Sequence, residues 1–202
     1  ALLIFLHGLG DSAQAWSGVC FQLAIKYRHV KFVLPNAPKI PVTVNKKEVM
    51  PAWFDIIGKP SRSDEPCDGI EESRSILQNM IAKEIESGIP ARRIILGGFS
   101  QGGALALYTA MKEQQGLGGA MSLSGYLPSS ELRATERSKD TPILMCHGAA
   151  DQVVPLKEAL LARDRLKSSG YSVNYREFKN LPHDFSMEEY DVISRWIGEI
   201  VP

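Results

Sequence analysis

The sequence predicts an α/β protein in which a mostly parallel central sheet is flanked by helices on both faces. Short apolar runs of strand length alternate along the chain with longer segments whose apolar residues recur at helical spacing. Continuous apolar runs are typical of strands buried on both faces, and the helical segments between them supply the crossovers that parallel strands need. The 202 residues fit one domain covering residues 1–202.

The elements follow from the length and spacing of the apolar residues. The predicted strands, which are short apolar or alternating runs, cover 1–6, 30–34, 94–98, 119–123, 142–146 and 173–178. The predicted helices, which carry apolar residues three or four positions apart, cover 16–27, 68–87, 101–113, 156–169 and 187–201. We expect 30–34 to be a buried strand and Leu160, Leu161 and Leu166 to face inward. Since the chain opens inside an apolar run without Met, we expect a first strand to precede Ala1.

Residues 35–66 interrupt this alternation. About thirty residues rich in Pro greatly exceed the usual connection of about 4–6 residues. The segment carries Val42, Met50, Trp53, Phe54 and other apolar residues, too many for a disordered linker. Two interpretations stay open: a loop packed on its own side chains, or a lid-like wall over an apolar substrate site.

Composition excludes several classes of function. Lys plus Arg and Asp plus Glu both number 23, so the formal net charge is zero, and we expect no nucleic-acid partner. Three Cys without a CxxC pair indicate neither a disulfide framework nor a zinc or redox site, and they favour a reducing compartment. No motif predicts a metal or a cofactor. No apolar run reaches the length of a membrane span.

The strongest local motif is Gly98-Phe99-Ser100-Gln101-Gly102, which lies between a predicted strand and a predicted helix. In a nucleophile elbow the serine occupies a tight strand-to-helix turn, and the flanking glycines let strand and helix approach each other. The same pattern could be a plain glycine-rich turn. The context favours Ser100 as the nucleophile of an α/β hydrolase.

A serine nucleophile needs a base, which in α/β hydrolases follows the serine and the acid along the chain. Of the four histidines, only His147 and His183 follow Ser100. His147 comes directly after a strand and before most acid candidates. His183 lies in a Pro-flanked turn between the last strand and the last helix, so we predict that His183 is the base.

The acid must lie between Ser100 and the base, at the carboxyl edge of the sheet. Asp140 precedes its strand, Asp164 lies inside a helix, and Asp184 adjoins the base itself. Asp151 follows the 142–146 strand through a short turn. We therefore predict that Asp151 accepts the Nδ1 proton of His183 and fixes its tautomer.

An oxyanion hole needs two backbone N–H donors, one from the residue after the nucleophile and one from an early loop. These requirements predict the amides of Gln101 and of Leu9, which lies in the turn His7-Gly8-Leu9-Gly10 directly after the first strand. His7 itself is expected to be a structural anchor. A purely structural role for the turn stays open.

In these motifs the chain resembles the acyl-protein thioesterases and lysophospholipases of the phospholipase/carboxylesterase group. The resemblance rests on stretches spread over nearly the whole chain: 5–11, 41–45, 50–56, 93–104, His147-Gly148 with Asp151, and 154–156. It places the family's triad on Ser100, Asp151 and His183 and its oxyanion amides on Leu9 and Gln101. The chain departs from the family pattern at Ala149, Gln152, Asp184 and Tyr126.

The resemblance implies a serine hydrolase that cleaves fatty acyl thioesters from S-acylated proteins, and acyl esters of lipids such as lysophospholipids. It implies substrate contacts from these residues: Met50, Trp53, Phe54, Tyr126, Leu127 and Leu156. It also implies a cytoplasmic protein, a monomer or weak dimer, with transient contact to membranes. Two alternatives are a carboxylesterase for short soluble esters and a non-catalytic binding protein on a hydrolase fold.

Overall fold

The computed structural model describes residues 1–128 and 134–202 and shows a six-stranded parallel sheet. The strands are β1 (Leu2–Leu6), β2 (Lys31–Val33), β3 (Lys39–Val42), β4 (Glu48–Pro51), β5 (Ile94–Phe99), β6 (Gly119–Leu123), β7 (Ile143–Gly148) and β8 (Val173–Phe178). The helices are α1 (Ala13–Lys26), α2 (Ile70–Glu86), α3 (Gln101–Lys112), α4 (Leu156–Ser168) and α5 (Met187–Ile200). The predicted strand and helix positions agree with these bounds to within a few residues.

The main sheet has the strand order β2-β1-β5-β6-β7-β8, and every neighbouring pair is parallel. Parallel neighbours bring the carboxyl ends of β5, β7 and β8 to one edge of the sheet. The residues that follow these three strands, including the segments of Ser100, Asp151 and His183, therefore share that edge. The fold class predicted from the sequence is confirmed.

The two faces of the sheet contribute to two hydrophobic clusters. Along β1, Leu2, Ile4 and Leu6 pack into the cluster that α2, α3 and α4 cover, whereas Leu3 and Phe5 pack into the cluster that α1 and α5 cover. Because side chains alternate across a strand, burial of all five residues requires helices on both faces. The continuous apolar run at the start of the sequence is explained by this double burial.

Two details of the predicted core are wrong. Strand β2 is an edge strand with β1 as its sheet neighbour, and its residues are exposed or only partly buried. On α4, Leu161 is 50% exposed, while Ala159 and Ala162 are buried. A helix buries residues three and four positions apart, and the stripe through Ala159, Ala162 and Leu166 leaves Leu161 on the solvent side.

The segment 35–66 is folded on itself and onto the core. Strands β3 and β4 form an antiparallel hairpin, in which Ile40 lies opposite Met50. Beyond the hairpin, the carboxylate of Glu65 accepts hydrogen bonds from the backbone N–H groups of residues 57, 58 and 59. These contacts agree with the interpretation of a loop packed on its own side chains.

None of the helices in the described ranges is long and apolar enough to cross a membrane.

Candidate active site

Ser100 occupies a strained turn between β5 and α3. Its backbone has φ 52° and ψ −118°, a conformation that costs a non-glycine residue about 1–3 kcal/mol. Its N–H donates to the carbonyl of Leu123 at 2.8 Å, which ties the turn to the end of β6. The turn holds the hydroxyl at the carboxyl edge of the sheet, at the first turn of α3.

The glycines of the motif are required by close backbone contacts. A Cβ at Gly98 would lie 2.4 Å from the carbonyl carbon of Gly102, and a Cβ at Gly102 would lie 2.2 Å from the carbonyl oxygen of Leu6. Either distance is far inside van der Waals contact. Strand β5, helix α3 and the end of β1 can therefore meet at the elbow only because both positions lack a side chain.

His183 and Asp151 form a hydrogen-bonded chain with Ser100. The Nε2 atom of His183 is 3.0 Å from the Ser100 hydroxyl, and its Nδ1 atom is 2.6 Å from Oδ2 of Asp151. The ring also packs against Phe99 at 4.8 Å between centroids. The structure thus brings together the three residues predicted from the sequence, although Ser100 and Asp151 are 51 residues apart along the chain and Asp151 and His183 are 32 residues apart.

Asp151 is held ionised by its hydrogen bonds. Burial acts to raise the pKa of its carboxyl group, but the hydrogen bonds from His183, Val154 and Val153 outweigh burial and lower the pKa. The backbone N–H groups of Val153 and Val154 both donate to Oδ1 at 2.9 Å. With Oδ1 occupied, Oδ2 is directed at the imidazole, as the acid of a Ser-His-Asp triad requires.

His147, the other histidine after Ser100, is part of the scaffold behind Asp151. It is buried, its Nε2–H donates to the carbonyl of Val154 at 2.8 Å, and it lies 3.6 Å from Oδ2 of Asp151. Burial lowers the pKa of its imidazole, so the ring stays neutral. His147 thus supports the turn that carries Asp151 and does not contact the serine.

The two predicted oxyanion donors lie beside the nucleophile. Both Leu9 and Gln101 line the same pocket as Ser100. Within residues 1–128 and 134–202, neither backbone N–H donates to a protein acceptor. Amides that line a catalytic pocket without an acceptor are suited to hold a developing negative charge.

The loop that carries Leu9 is fixed by a network around His7. Its Nδ1–H donates to the carbonyl of Gly8 at 2.7 Å, and its Nε2 accepts from the N–H of Ala37 at 3.0 Å. The indole N–H of Trp53 donates to the carbonyl of His7 at 2.9 Å. His7 therefore has the geometry of an anchor, as expected from its position.

The side chain of Gln101 hydrogen-bonds the backbone of the segment after β4, a role that was not predicted from the sequence. Its amide oxygen accepts from the N–H of Trp53 at 2.9 Å, and its amide nitrogen donates to the carbonyl of Phe54 at 2.7 Å. One buried side chain thus links the start of α3 to the segment after β4. This link holds residues 53–54 beside the elbow.

The pocket over Ser100 has a volume of about 320 Å³. This volume lies at the lower end of the roughly 300–1,000 Å³ of ligand pockets. Its described lining consists of Gly8, Leu9, Asp11, Ile56, Arg62, Phe99, Ser100, Gln101, Tyr126, Val153, Val154 and His183.

Of the six residues expected to contact substrate, only Tyr126 is part of this lining. Trp53, Phe54 and Leu127 are core residues, 1%, 0% and 3% exposed. Met50 lies on β4 and Leu156 is the first residue of α4. The side chains of an apolar loop can face either the core or a cavity, and Trp53 and Phe54 face the core.

Ile56, Arg62 and Val153 also line the pocket and were not predicted from the sequence to do so. Val153 could have been found, because it is the second residue after the predicted acid. Ile56 and Arg62 lie in the folded 35–66 segment, where sequence spacing carries little information about direction. No group of three or more His, Cys, Asp or Glu residues among the described positions is arranged to hold a metal ion.

The all-parallel sheet, the strained elbow and the Ser-His-Asp chain define a serine hydrolase of the α/β-hydrolase class. The family model for phospholipases and carboxylesterases matches residues 1–200. The chain belongs to this phospholipase/carboxylesterase family.

Relatives of known name cover the whole chain. Acyl-protein thioesterase 1 homolog 1 of Dictyostelium discoideum is 42% identical over 206 residues, which include 100% of this chain and 91% of the relative. Acyl-protein thioesterase 1 of Neurospora crassa is 41% identical and matches all of this chain and 87% of its own length. Among solved structures, SOBER1 of Arabidopsis thaliana superposes with a TM-score of 0.92 at 31% identity, covering 100% of this chain and 99% of its own. Acyl-protein thioesterase 2 of Zea mays has a TM-score of 0.87 at 31% identity and covers 100% of this chain and 94% of its own.

Proposed function

We propose that this protein hydrolyses fatty acyl thioesters of S-acylated proteins, together with related acyl esters such as those of lysophospholipids. The observation that carries the proposal is the hydrogen-bonded chain from Ser100 through His183 to Asp151 at an apolar pocket. The full-length similarity to proteins named acyl-protein thioesterases supports the choice of substrate class.

In the first step, the Ser100 hydroxyl attacks the acyl carbonyl while His183 Nε2, 3.0 Å away, takes its proton. Asp151 keeps the imidazole in the required tautomer and stabilises the imidazolium that forms. The carbonyl oxygen becomes negative and receives hydrogen bonds from the amides of Leu9 and Gln101. Loss of one such donor typically costs about 3–4 kcal/mol of transition-state stabilisation.

In the second step, His183 returns the proton to the leaving sulfur or oxygen, and the acyl group remains on Ser100. His183 then takes a proton from a water molecule that attacks the acyl carbonyl, and it returns this proton to the Ser100 oxygen as the bond between Ser100 and the acyl group breaks and the fatty acid leaves. A thiolate is a better leaving group than an alkoxide, so one site can process both thioesters and oxyesters.

The size of the pocket implies that the two parts of the substrate bind in different places. A substrate protein cannot enter a cavity of about 320 Å³, so its cysteine must reach Ser100 from the open side. The acyl group can enter the apolar part, beside Ile56, Val153 and Val154. This division leaves the protein part of the substrate free to vary.

The small volume of the pocket favours a second candidate function, a carboxylesterase for short soluble esters. The two functions differ in how the rate depends on acyl length. We therefore propose to measure kcat/KM on matched thioesters and oxyesters of acyl groups from two to sixteen carbons. Rates that rise or stay level with length support the fatty acyl substrate, whereas a steady fall beyond four carbons supports the short-ester enzyme.

The Ser100→Ala variant is the control for this series. Removal of the nucleophile should lower kcat by about 10⁶-fold without unfolding the protein. Hydrolysis that persists in the purified variant would refute the assignment of Ser100. Failure of the wild-type protein to react with a fluorophosphonate probe would instead support the non-catalytic binding protein.

We further propose a cytoplasmic protein that is a monomer or weak dimer and contacts membranes transiently. All three cysteines are free and buried, which suits a reducing compartment. Val153 lines the pocket and is 55% exposed, so an apolar side chain is available where a lipid substrate would arrive. Sedimentation with neutral vesicles tests the membrane contact, and sedimentation velocity without vesicles tests the oligomeric state.

A further inference from the structure

Asp11 places a carboxylate without a cationic partner in the wall of the catalytic pocket. It is partly buried and lines the pocket together with Ser100 and His183. Its Oδ2 accepts a hydrogen bond from the indole N–H of Trp16 at 3.1 Å. Within the described ranges, its Oδ1 accepts no hydrogen bond and Asp11 takes part in no ion pair.

The cationic side chain of the lining, Arg62, is compensated by other groups. Its Nη1 is 3.5 Å from Oε1 of Glu65, and its Nη2 is 3.4 Å from the carbonyl oxygen of Val153. A second carboxylate, that of Glu158, accepts the backbone N–H of Arg62 at 3.1 Å. Among the described lining residues, Asp11 is therefore the charge that remains without a partner.

The structural contacts of Asp11 do not require a carboxylate at this pocket. The indole N–H of Trp16 needs one acceptor, which an asparagine of the same shape would also supply. A negative charge just before α1 stabilises the start of the helix, but this effect is typically only about 0.3–1 kcal/mol at an exposed site. Neither contact uses Oδ1, which remains available to a ligand.

The position of Asp11 assigns it to the leaving part of the substrate. It lies two residues after Leu9, whose amide is a proposed oxyanion donor, and directly after the exposed Gly10. The apolar acyl group fits beside Ile56 and Val154, because contact with a carboxylate would remove water from the charge without compensation. The leaving part enters from the open side and is therefore the part that meets Asp11.

We propose that Asp11 is a specificity-determining residue that binds a positive charge on the leaving part of the substrate. In a protein substrate this charge belongs to a Lys or Arg side chain next to the acylated cysteine. Phe99, another lining residue, offers an apolar surface for the aliphatic stem of such a side chain. The inference rests on the proposed acyl hydrolase function of the Ser100 site and adds a charge preference to it.

The first test uses two thioesters of the same short acyl group that have nearly the same shape and differ in charge. One is the thiocholine ester, and the other is its neutral analogue, in which carbon replaces the nitrogen. Asp11→Asn should lower the ratio of kcat/KM, cationic over neutral, by about threefold to fivefold, the upper range for one partly exposed ion pair. The cationic thiol is also the better leaving group, so only the change in this ratio between proteins is used. An unchanged ratio would overturn the inference.

The second test uses S-acylated peptides that differ only in the residue next to the cysteine, which is Lys, Gln or Glu. For wild-type protein, kcat/KM should fall in the order Lys, Gln, Glu, and the differences should shrink at high salt because ions screen the charges. In Asp11→Asn the order should be lost. Equal rates for the Lys and Gln peptides on wild-type protein, on both sides of the cysteine, would also overturn the inference.

Asp184→Asn is the matched control. Asp184 is exposed and adjoins His183, its Oδ1 accepts the N–H of Phe185 at 2.7 Å, and it is not part of the described lining. Its replacement removes the same charge beside the base and should leave the ratio of the two thioesters at the wild-type value. An equal fall in both variants would indicate a general effect of charge and would reject the subsite. A loss of activity common to both substrates cancels in the ratio.

The short acyl group of the first test separates this inference from the proposed function. A ratio that falls in Asp11→Asn supports the subsite even if long-chain thioesters are not hydrolysed, a result that would reject the fatty acyl function alone. Hydrolysis of long-chain thioesters, with the same ratio of the short thioesters in wild-type protein and Asp11→Asn, rejects the subsite and leaves the proposed function intact.

Discussion

At the scale of single residues, Asp151 shows how the candidate site is organised in advance. The amides of Val153 and Val154 occupy one of its carboxylate oxygens, and His183 occupies the other. The carboxylate therefore cannot rotate without losing hydrogen bonds. The orientation of the imidazole, and with it the distance to Ser100, is set before any substrate binds.

Asp151→Asn should lower kcat about 10⁴-fold with little change in KM. An asparagine keeps the shape of the side chain, but its NH₂ group can face Nδ1 of His183 and stabilise the wrong tautomer. Steady-state kinetics with an acyl thioester measures the effect. Asp164→Asn is the control: Asp164 pairs with Arg163 on the solvent side of α4, so its replacement should leave kcat unchanged. Equal kinetics for wild-type protein and Asp151→Asn would exclude Asp151 as the acid.

At the scale of elements, the junction of β1, β5 and α3 depends on backbones in direct contact. Gly102→Ala would place a Cβ 2.2 Å from the carbonyl oxygen of Leu6 and 2.6 Å from that of His7. The end of β1 and residue His7 would have to move away from α3, so we expect a loss of about 3 kcal/mol or more in the free energy of unfolding. Chemical denaturation measures this loss, and activity should fall with it.

A glycine outside the elbow, Gly18, provides the control for the Gly102→Ala variant. Gly18 lies inside α1, and a Cβ there would meet nothing within 4 Å. Gly18→Ala should therefore stabilise the protein by about 0.5–1 kcal/mol, because alanine is the better helix former. If both variants had the same stability, steric contact at the elbow would not be the reason for glycine at position 102.

Some elements of the fold can be predicted from the sequence and others cannot, for physical reasons. The elbow could be predicted because its close backbone contacts require glycine at two fixed positions, Gly98 and Gly102. The β3–β4 hairpin could not be predicted from the sequence. Pro41 lies inside strand β3, where proline is not expected, and the turn of the hairpin contains Lys46 and Lys47 at φ 56° and 61°. Non-glycine residues rarely adopt this conformation, so the sequence contains no turn signal there.

At the scale of the whole molecule, the order of Ser, Asp and His along the chain, combined with a parallel sheet, was enough to predict which side chains converge. The lining of the pocket was not predictable in the same way. Trp53 and Phe54 turn into the core because Gln101 and His7 bind the backbone and indole groups around them. Such long-range contacts produce no periodic pattern of residues that could be recognised in a single sequence.

Glu189 is a buried acidic residue in α5, the helix that follows His183 along the chain. It is fully buried at the start of α5, where it forms a capping box: its Oε2 accepts from the N–H of Ser186, and its N–H donates to the Ser186 hydroxyl. Its Oε1 has no partner among the described residues. Burial, with a smaller contribution from Asp184, raises the pKa of this carboxyl group to about 7.

The raised pKa of Glu189 predicts that stability falls as the pH rises from about 4.5 to about 7, because the unfolded chain releases the proton first. The loss above pH 7 is on the order of 3 kcal/mol, since one pKa unit corresponds to about 1.4 kcal/mol. Glu189→Gln keeps the cap and removes the titration, so urea unfolding should show it gaining stability over wild-type protein across this range. Glu188→Gln, at the exposed neighbouring position, should follow the wild-type profile. The lowered pKa values of His147 and Asp151 also make the stability depend on pH, but both residues are present in all three proteins, so their effect cancels in the comparison. Parallel profiles for wild-type protein and Glu189→Gln would show that this carboxyl group is not protonated in the fold.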